Sequence, residues 1–253
     1  MKYIIQKLLI LILLFLPVCL QAQTGVPYDI KVNGVKVIVQ PAGNEITVIQ
    51  TIIKGGVENY PASKAGIENL AISALTECGT VKDDKNSFKD KLDKVSAQIS
   101  SNSDMDYAMF SMNCIKSDFE IVWPLYSDAL TAPRFDAKEF ARIKQDAINI
   151  IKANESNPDY AIDKMAKQNA FAGKSYAKDP GGNVETISRL TVDETKKYWK
   201  SILTRSRMLI IVVSDLEKNL IEEKVKQLLA KIPAGTPIKQ VKSSYTPVAN
   251  TFK

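Results

Sequence analysis

Four residues on one predicted helix have the spacing of a metal-binding site. They belong to the stretch GIENLAISALTECGT, residues 66–80, whose apolar residues recur at the i, i+3, i+4, i+7 and i+8 positions of a buried helix face. That buried face consists of Ile67, Leu70, Ala71, Ala74 and Leu75. At about 100° per residue, the opposite face carries Asn69, Ile72, Ser73 and Thr76. Side chains spaced in this way can point at one metal ion, but none of the four is charged.

These side chains are poor ligands for zinc. Amide and hydroxyl oxygens bind this borderline-soft cation weakly, and isoleucine has no donor atom. The sequence contains no histidine, which excludes imidazole-based zinc sites and the activation of a serine or cysteine nucleophile by histidine. Cys78 lies roughly 140° around the helix from Ser73 and does not join this face. We therefore predict neither a metal nor a cofactor.

Two other motifs could carry chemistry. Carboxylates that could take part in acid–base catalysis are present in Glu68, Glu77 and the Asp83–Asp84 pair. Acidic residues in charged stretches of this kind are, however, solvated far more often than they are catalytic. Gly181 and Gly182, in KDPGGNVE, lack the lysine pattern of a phosphate-binding loop. A turn is the simpler prediction for that motif.

The first 22 residues predict a secretory signal. Two lysines accompany an apolar run over residues 8–16 that is too short to span a bilayer comfortably, and the small residue Ala22 offers a cleavage site. Cleavage would leave no stable membrane span and would place the protein in the periplasm. A lipoprotein anchored through Cys19 is the less favoured alternative, because Val18 is bulkier than lipoprotein processing usually accepts.

Charge and cysteine content narrow the function classes further. The formal net charge of +6 is mild, and basic and acidic residues alternate, as in KDDKNSFKDKLDK, residues 82–94. Such a run is typical of a solvated helix face, and no nucleic-acid partner is expected. An oxidising compartment would permit a disulfide between Cys78 and Cys114. Two buried free thiols are the alternative, and the sequence leaves both open.

The order of the predicted elements indicates an α+β fold, with a mainly antiparallel sheet and helices packed on one side. The stretch YDIKVNGVKVIVQ, residues 28–40, alternates apolar and polar residues around Asn33-Gly34, a strong hairpin signal. The run SRMLIIVVS, residues 206–214, is continuously apolar and predicts a central strand that is buried on both faces.

We predict one lobe over residues 23–235, followed by a linker over residues 236–253. The mature length suits one large domain or two small ones. The linker is rich in proline, serine, threonine and lysine. Whether a second lobe follows Lys253 stays open at this point.

Four stretches in this order resemble the pitrilysin or insulinase family of inverted zinc peptidases. They are NGVKVIV (residues 33–39), IIKGGVENYPASKAGIENLAISALTECGT (52–80), APRFDAKEFARIKQDAINIIKANESNPDYA (132–161) and ISRLTVDETKKYWKSILTRSRMLIIVVSDL (187–216). The resemblance runs over nearly all of the mature chain and matches the first lobe of that family.

The resemblance implies a zinc site that this chain has lost. Active members carry H-x-x-E-H on the first helix, where two histidines bind zinc and the glutamate is the general base. Asn69 and Ser73 stand at the histidine positions and Ile72 at the glutamate position. The third ligand, a glutamate, is expected around residues 149–151, where no carboxylate occurs, and Asp146 is one turn away.

Three functions follow as hypotheses. The favoured one is a secreted, non-catalytic protein that pairs with a zinc-bearing homologous peptidase subunit or holds extended peptides. The second is a zinc-dependent endopeptidase with atypical ligands. The third is an envelope adaptor that makes no contact with peptides. The first and third predict a metal-free protein, and the first and second predict peptide binding.

Overall fold

The structure is a computed structural model that describes residues 25–237. The predicted signal at residues 1–22 and the linker from residue 238 onward lie outside the described residues, so both assignments stay predictions. The strands are β1 (Tyr28–Val32), β2 (Val35–Gln40), β3 (Ile46–Lys54), β4 (Gln98–Ser103), β5 (Tyr107–Ile115) and β6 (Met208–Val213). The helices are α1 (Ile67–Glu77), α2 (Lys85–Asp93), α3 (Phe119–Thr131), α4 (Ala137–Glu155), α5 (Pro158–Ala170), α6 (Val184–Arg189), α7 (Val192–Ile202) and α8 (Lys218–Ala230).

The six strands form one sheet in the order β1-β2-β6-β3-β5-β4. Every neighbouring pair is antiparallel except β2 and β6, which run parallel. The predicted hairpin joins β1 to β2, and Asn33 and Gly34 both have positive φ angles, of 46° and 87°, as a two-residue hairpin turn requires. The α+β fold with a mainly antiparallel sheet is confirmed.

The core lies between the sheet and the helices. Its strand residues alternate, so that Val37 in β2, Ile210 in β6 and Phe110 in β5 are buried on one face. A polar residue of this face, Thr51 in β3, is also buried. Its hydroxyl accepts a hydrogen bond of 2.8 Å from the hydroxyl of Tyr126 in α3, which holds α3 against the sheet.

The prediction that the run over residues 206–214 is buried on both faces is wrong for the described residues. In β6, Met208, Ile210 and Val212 are buried, whereas the alternate residues Leu209, Ile211 and Val213 are only half-buried. The reason is that the helices within residues 25–237 pack on one face of the sheet, and an apolar run does not specify what covers its other face.

The two described cysteines are free thiols, and both are buried. Burial raises the pKa of Cys78 to about 12 and that of Cys114 to about 11, so both stay protonated and unreactive at neutral pH. Of the two alternatives that the sequence left open, the structure shows buried thiols. No helix between residues 25 and 237 has both the length and the apolar character to cross a membrane.

Candidate functional site

Helix α1 carries the residues that have the spacing of a metal site, and it contacts other elements on several sides. It packs against β4 and β5, and against α4 and α7. Its N-cap is Gly66, with a φ of 89°. The predicted turn at Gly181-Gly182 lies against this end, since a Cβ on Gly182 would stand 2.6 Å from the carbonyl oxygen of Ala65. These glycines therefore allow a loop to approach the start of α1 closely.

An open cleft of about 700 Å³ lies along the free side of α1. Helices α4 and α5 and the loop over residues 176–181 form its walls. Helix α1 contributes Asn69, Leu70, Ser73 and Glu77. Helix α4 contributes a stripe at helical spacing, made of Ile143, Asp146, Ala147, Ile150, Ile151 and Asn154. The two helices that the family resemblance singled out thus face one cavity.

Asn69 and Ser73, predicted to share a face, both line the cleft. Within residues 25–237, neither side chain makes a hydrogen bond to another group of the protein; only the Ser73 backbone carbonyl is used, by the Thr76 hydroxyl at 3.0 Å. A primary amide and a hydroxyl are therefore available to a ligand at the floor of the cavity.

Ile72 does not lie on that face, contrary to prediction. Its side chain is 0% exposed and belongs to the hydrophobic core. The partly exposed arc of α1 instead runs through Thr76, Asn69, Ser73 and Glu77. Of these four, Asn69, Ser73 and Glu77 line the cleft and Thr76 does not. The arc has the predicted width but is rotated by about 40°, because α1 has neighbours on several sides whereas the apolar spacing identifies only one buried side.

The residues present do not fit a zinc ion. Ile150 and Ile151 occupy the region where the third ligand was expected, and both line the cleft. The nearby carboxylate of Asp146 accepts a 2.7 Å hydrogen bond from Arg142. In the described part of the chain, no group of three or more acidic or cysteine side chains is arranged to hold a metal. An amide, a hydroxyl and an alkyl group are not a zinc ligand set.

Arg142 neutralises the acids at this end of the cleft. Its guanidinium also donates to Glu77 at 2.7 Å and to Glu139 at 2.9 Å. Burial alone would raise the pKa of Glu77, but hydrogen bonds and charges from Lys89 and Arg142 outweigh it and hold that pKa below its usual range. Glu77 is therefore an ionised, paired carboxylate and not a candidate acid or base.

Glu68 is a second residue whose burial differs from the prediction. It was expected to be solvated, yet it is 0% exposed. Its Oε2 accepts hydrogen bonds from the hydroxyl of Tyr198 and from Asn59 Nδ2, the latter at 3.1 Å. Oε1 has no partner. Burial raises the pKa of Glu68, although Tyr198, Asn59 and the charge of Arg207 oppose the shift. No sequence signal marks this burial, because an acid in a first helical turn is usually exposed.

This burial predicts a pH dependence of stability. A carboxyl whose pKa is raised by folding stabilises the fold below its ordinary pKa, and that contribution is lost as the pH rises through the raised value. Glu68→Gln cannot titrate, so its free energy of unfolding should improve relative to the wild type as the pH rises above about 4, the ordinary pKa of a glutamate. Urea unfolding at several pH values measures the difference. The exposed Glu222→Gln should show no such trend, and equal slopes for both variants would contradict the assignment.

The fold and the cleft together define a peptidase-type lobe. The positions at which a zinc peptidase carries its metal ligands hold no metal-binding side chains in this chain. A family model, Insulinase (Peptidase family M16), matches residues 43–180. The match covers more than half of the chain, which therefore belongs to this family, and the predicted resemblance is confirmed. It is a member that lacks the H-x-x-E-H residues.

Similar proteins include chains that are described as inactive. Among curated proteins, the non-peptidase homolog YmxG of Helicobacter pylori is 21% identical over 235 residues, covering 91% of this chain and 53% of that protein. The mitochondrial-processing peptidase subunit beta of Dictyostelium discoideum is 18% identical, covering 83% of this chain and 45% of that protein. The chain spans about half the length of the curated relatives that it matches.

Solved structures share the fold. A crystal structure of a peptidase M16 inactive domain from Pseudomonas fluorescens superposes with a TM-score of 0.81 at 19% identity, covering 88% of this chain and 55% of that one. The first half of the periplasmic protease PqqL from Escherichia coli gives a TM-score of 0.75 at 13% identity, covering 85% and 48%.

Proposed function

We propose that this chain is a non-catalytic, peptide-binding member of the insulinase family. The observation that carries the proposal is the open cleft of about 700 Å³ whose floor presents Asn69 and Ser73. Loss of the zinc ligands removes hydrolysis but leaves the cavity in place. Two relatives named as a non-peptidase homolog and an inactive domain support a role other than cleavage.

The chemistry of the cleft suits peptide backbone better than a highly charged ligand. Its charged side chains are of both signs, and several are paired, such as Asp163 with Lys167 at 2.7 Å. The amide of Asn69 can donate to the carbonyl and accept from the N–H of one residue of an extended peptide. Strand β4 lies at an edge of the sheet, and Met105, just after it, lines the cleft. An extended peptide could therefore add to this edge while it occupies the cleft.

Peptide binding predicts a specific pair of variants. Fluorescence anisotropy with labelled, unstructured peptides of mixed sequence should show binding that Asn69→Ala weakens about threefold to tenfold, the loss expected for one hydrogen bond. Asn149→Ala is the matched control, because Asn149 lies on the neighbouring helix α4, pairs with Gln145 and does not line the cleft. Equal effects of the two substitutions, or no binding by the wild type, would contradict the proposal.

The same preparation tests the lack of catalysis. Mass spectrometry of the incubated peptides should show no cleavage, and a chelator should leave the anisotropy unchanged. Stoichiometric metal together with chelator-sensitive cleavage would instead support the zinc endopeptidase with atypical ligands. An adaptor without peptide contact predicts no anisotropy change at all.

Pairing with a zinc-bearing homologous subunit is the second candidate. It is supported by a relative that is named as a subunit of a processing peptidase, and by relatives that contain about twice the matched length. Co-expression with a family member from the same organism that retains H-x-x-E-H, followed by purification through a tag on one chain, tests it. Failure to recover both chains would count against pairing but not against peptide binding.

Export to the periplasm remains part of the proposal. It is supported by the lysines and the apolar run within residues 1–22 and by the periplasmic relative. The mass of the mature protein distinguishes cleavage after Ala22 from lipid attachment at Cys19, and an uncleaved chain would contradict both.

A further inference from the structure

Four cationic side chains line the cleft beside α1, and three of them form salt bridges with acids of this chain. The pairs are Arg142 with Asp146 at 2.7 Å, Lys164 with Glu155 at 3.2 Å and Lys167 with Asp163 at 2.7 Å. The fourth cation is Lys178. Among the described residues its ammonium group has no carboxylate partner, and its hydrogen bond goes to a backbone carbonyl instead.

The Lys178 ammonium group is held in place by Tyr60. Its Nζ donates a hydrogen bond of 2.6 Å to the carbonyl oxygen of Tyr60 and lies 5.3 Å from the centre of the Tyr60 ring. An ammonium group has three N–H donors, so others remain for a ligand. Burial lowers the pKa of Lys178, and the charge of Glu58 opposes that shift. A half-buried cation without an acidic partner is stabilised by a carboxylate that a ligand supplies.

The acid next to Lys178 in the sequence has other partners. Asp179 also lines the cleft. One of its oxygens accepts a 2.9 Å hydrogen bond from the hydroxyl of Tyr160, and the other accepts a 2.8 Å hydrogen bond from the backbone N–H of Gly181. Both oxygens of Asp179 are therefore engaged by neutral donors, and its carboxylate forms no ion pair with Lys178.

Lys178 belongs to the end of the cleft at which α1 begins. Three residues after it, the carbonyl oxygen of Gly181 would stand 2.9 Å from a Cβ on Gly66, the N-cap of α1. Asn69 lies in the first turn of α1, and Ser73 follows one turn later. The cleft thus presents a cation at one end and then an amide and a hydroxyl along α1, an order that suits a peptide with a carboxylate at one end.

We infer that Lys178 anchors a carboxylate of the bound peptide, so that the cleft selects peptides with a free C-terminus or with an acidic side chain. This inference rests on the peptide binding proposed above and adds the chemical class of the ligand. With the carboxylate at Lys178, the adjoining peptide backbone lies along Asn69 and Ser73. Its side chains then meet the apolar stripe of α4, where Ile150 is 60% exposed.

The test compares three peptides of one sequence in fluorescence anisotropy, each with a net-neutral dye at its N-terminus. The first ends in a free carboxylate and has no acidic side chain. The second ends in an amide. The third also ends in an amide but carries a glutamate in place of a glutamine near that end. The wild type should bind the first, the third or both about tenfold more tightly than the second, as for one charge-assisted hydrogen bond. Which of them binds tightly identifies the source of the carboxylate.

Variants of Lys178 assign this preference to one side chain. Lys178→Gln removes the charge and keeps a hydrogen-bond donor, and it should reduce the preference to less than about twofold. Lys178→Arg keeps the charge and should retain the preference. Lys174→Gln is the matched control, because Lys174 lies in the same connection between α5 and α6, is exposed and does not line the cleft. Equal losses in Lys174→Gln and Lys178→Gln would mean long-range attraction to a chain of net charge +6, and the inference would be overturned.

The remaining outcomes separate the inference from peptide binding itself. If the wild type binds all three peptides with equal affinity, peptide binding stands and the carboxylate anchor is wrong. If it binds none of them, the proposed function and the inference fail together. Urea unfolding shows whether Lys178→Gln is folded, and if it is not, the wild-type affinities for the free acid, the amide and the glutamate peptide decide the question.

Discussion

Replacing Asn69 and Ser73 with histidine and Ile150 with glutamate is expected to give a chain that holds one zinc ion per molecule. The wild type offers an amide, a hydroxyl and an alkyl group at these positions, all of which line one cleft. Histidines at i and i+4 share a helix face, and a carboxylate on α4 would complete three protein ligands. Because Ile150 is 60% exposed, a carboxylate there costs little to introduce.

Elemental analysis of the purified triple variant measures the zinc content directly. Zinc that binds only the folded state should also stabilise it, by about 2.7 kcal/mol when free zinc is 100 times the dissociation constant. The variant should still cleave no peptide, because Ile72 supplies no general base. The control keeps both histidines and moves the glutamate to Asn149, which does not line the cleft. Equal zinc affinity of the two triple variants would mean that α4 does not present Ile150 to α1 as described.

Ile72→Glu is expected to lower the free energy of unfolding by about 3 to 5 kcal/mol, the usual effect of an uncompensated buried charge. Ile72 is 0% exposed. Ile72 belongs to the hydrophobic core, and the buried polar and charged side chains within residues 25–237 include no lysine or arginine that could pair with a new carboxylate. A buried carboxyl is easier to accommodate when protonated, so the loss should become smaller as the pH falls towards about 4.

Urea unfolding of two further variants gives the reference values. Ile72→Val keeps the site apolar and should cost about 0.5 to 1.5 kcal/mol. Ile150→Glu introduces the same carboxylate at an exposed position and should stay within about 0.5 kcal/mol of the wild type. If Ile72→Glu proves as mild as Ile150→Glu, its carboxylate reaches the cleft, and the free arc of α1 is wider than the structure shows.

The prediction for the zinc-binding variant rests on helical spacing, whereas the prediction for Ile72→Glu rests on the tertiary structure. That Asn69 and Ser73 share a face follows from helical spacing alone, and the structure places both in one cleft. That Ile72 leaves this face could not be predicted, because the spacing states which residues are neighbours on a helix and not how many sides of the helix are covered. Helix α1 contacts β4, β5, α4 and α7, and these contacts together determine where its free arc lies.

Glu68 shows the same limit for a charged residue. Its type and its place in the first turn of α1 favour exposure. Burial becomes tolerable only because Asn59 and Tyr198 donate hydrogen bonds to it. Asn59 precedes α1, Glu68 lies in α1 and Tyr198 lies in α7. The fold brings these three residues into contact, and no local sequence pattern predicts that contact.

The sequence by itself determined the α+β class, the hairpin at Asn33-Gly34, the helix that carries Asn69 and Ser73, and the lack of imidazole for a zinc site. These are properties of local periodicity and of residue type, which do not depend on distant neighbours. Only the tertiary structure decided that Ile72 and Glu68 are buried, that Cys78 and Cys114 are free, and that one face of β6 is only half-buried by the described residues. Burial depends on which residues from elsewhere in the chain pack against a side chain, and those contacts form only when the helices pack on the sheet.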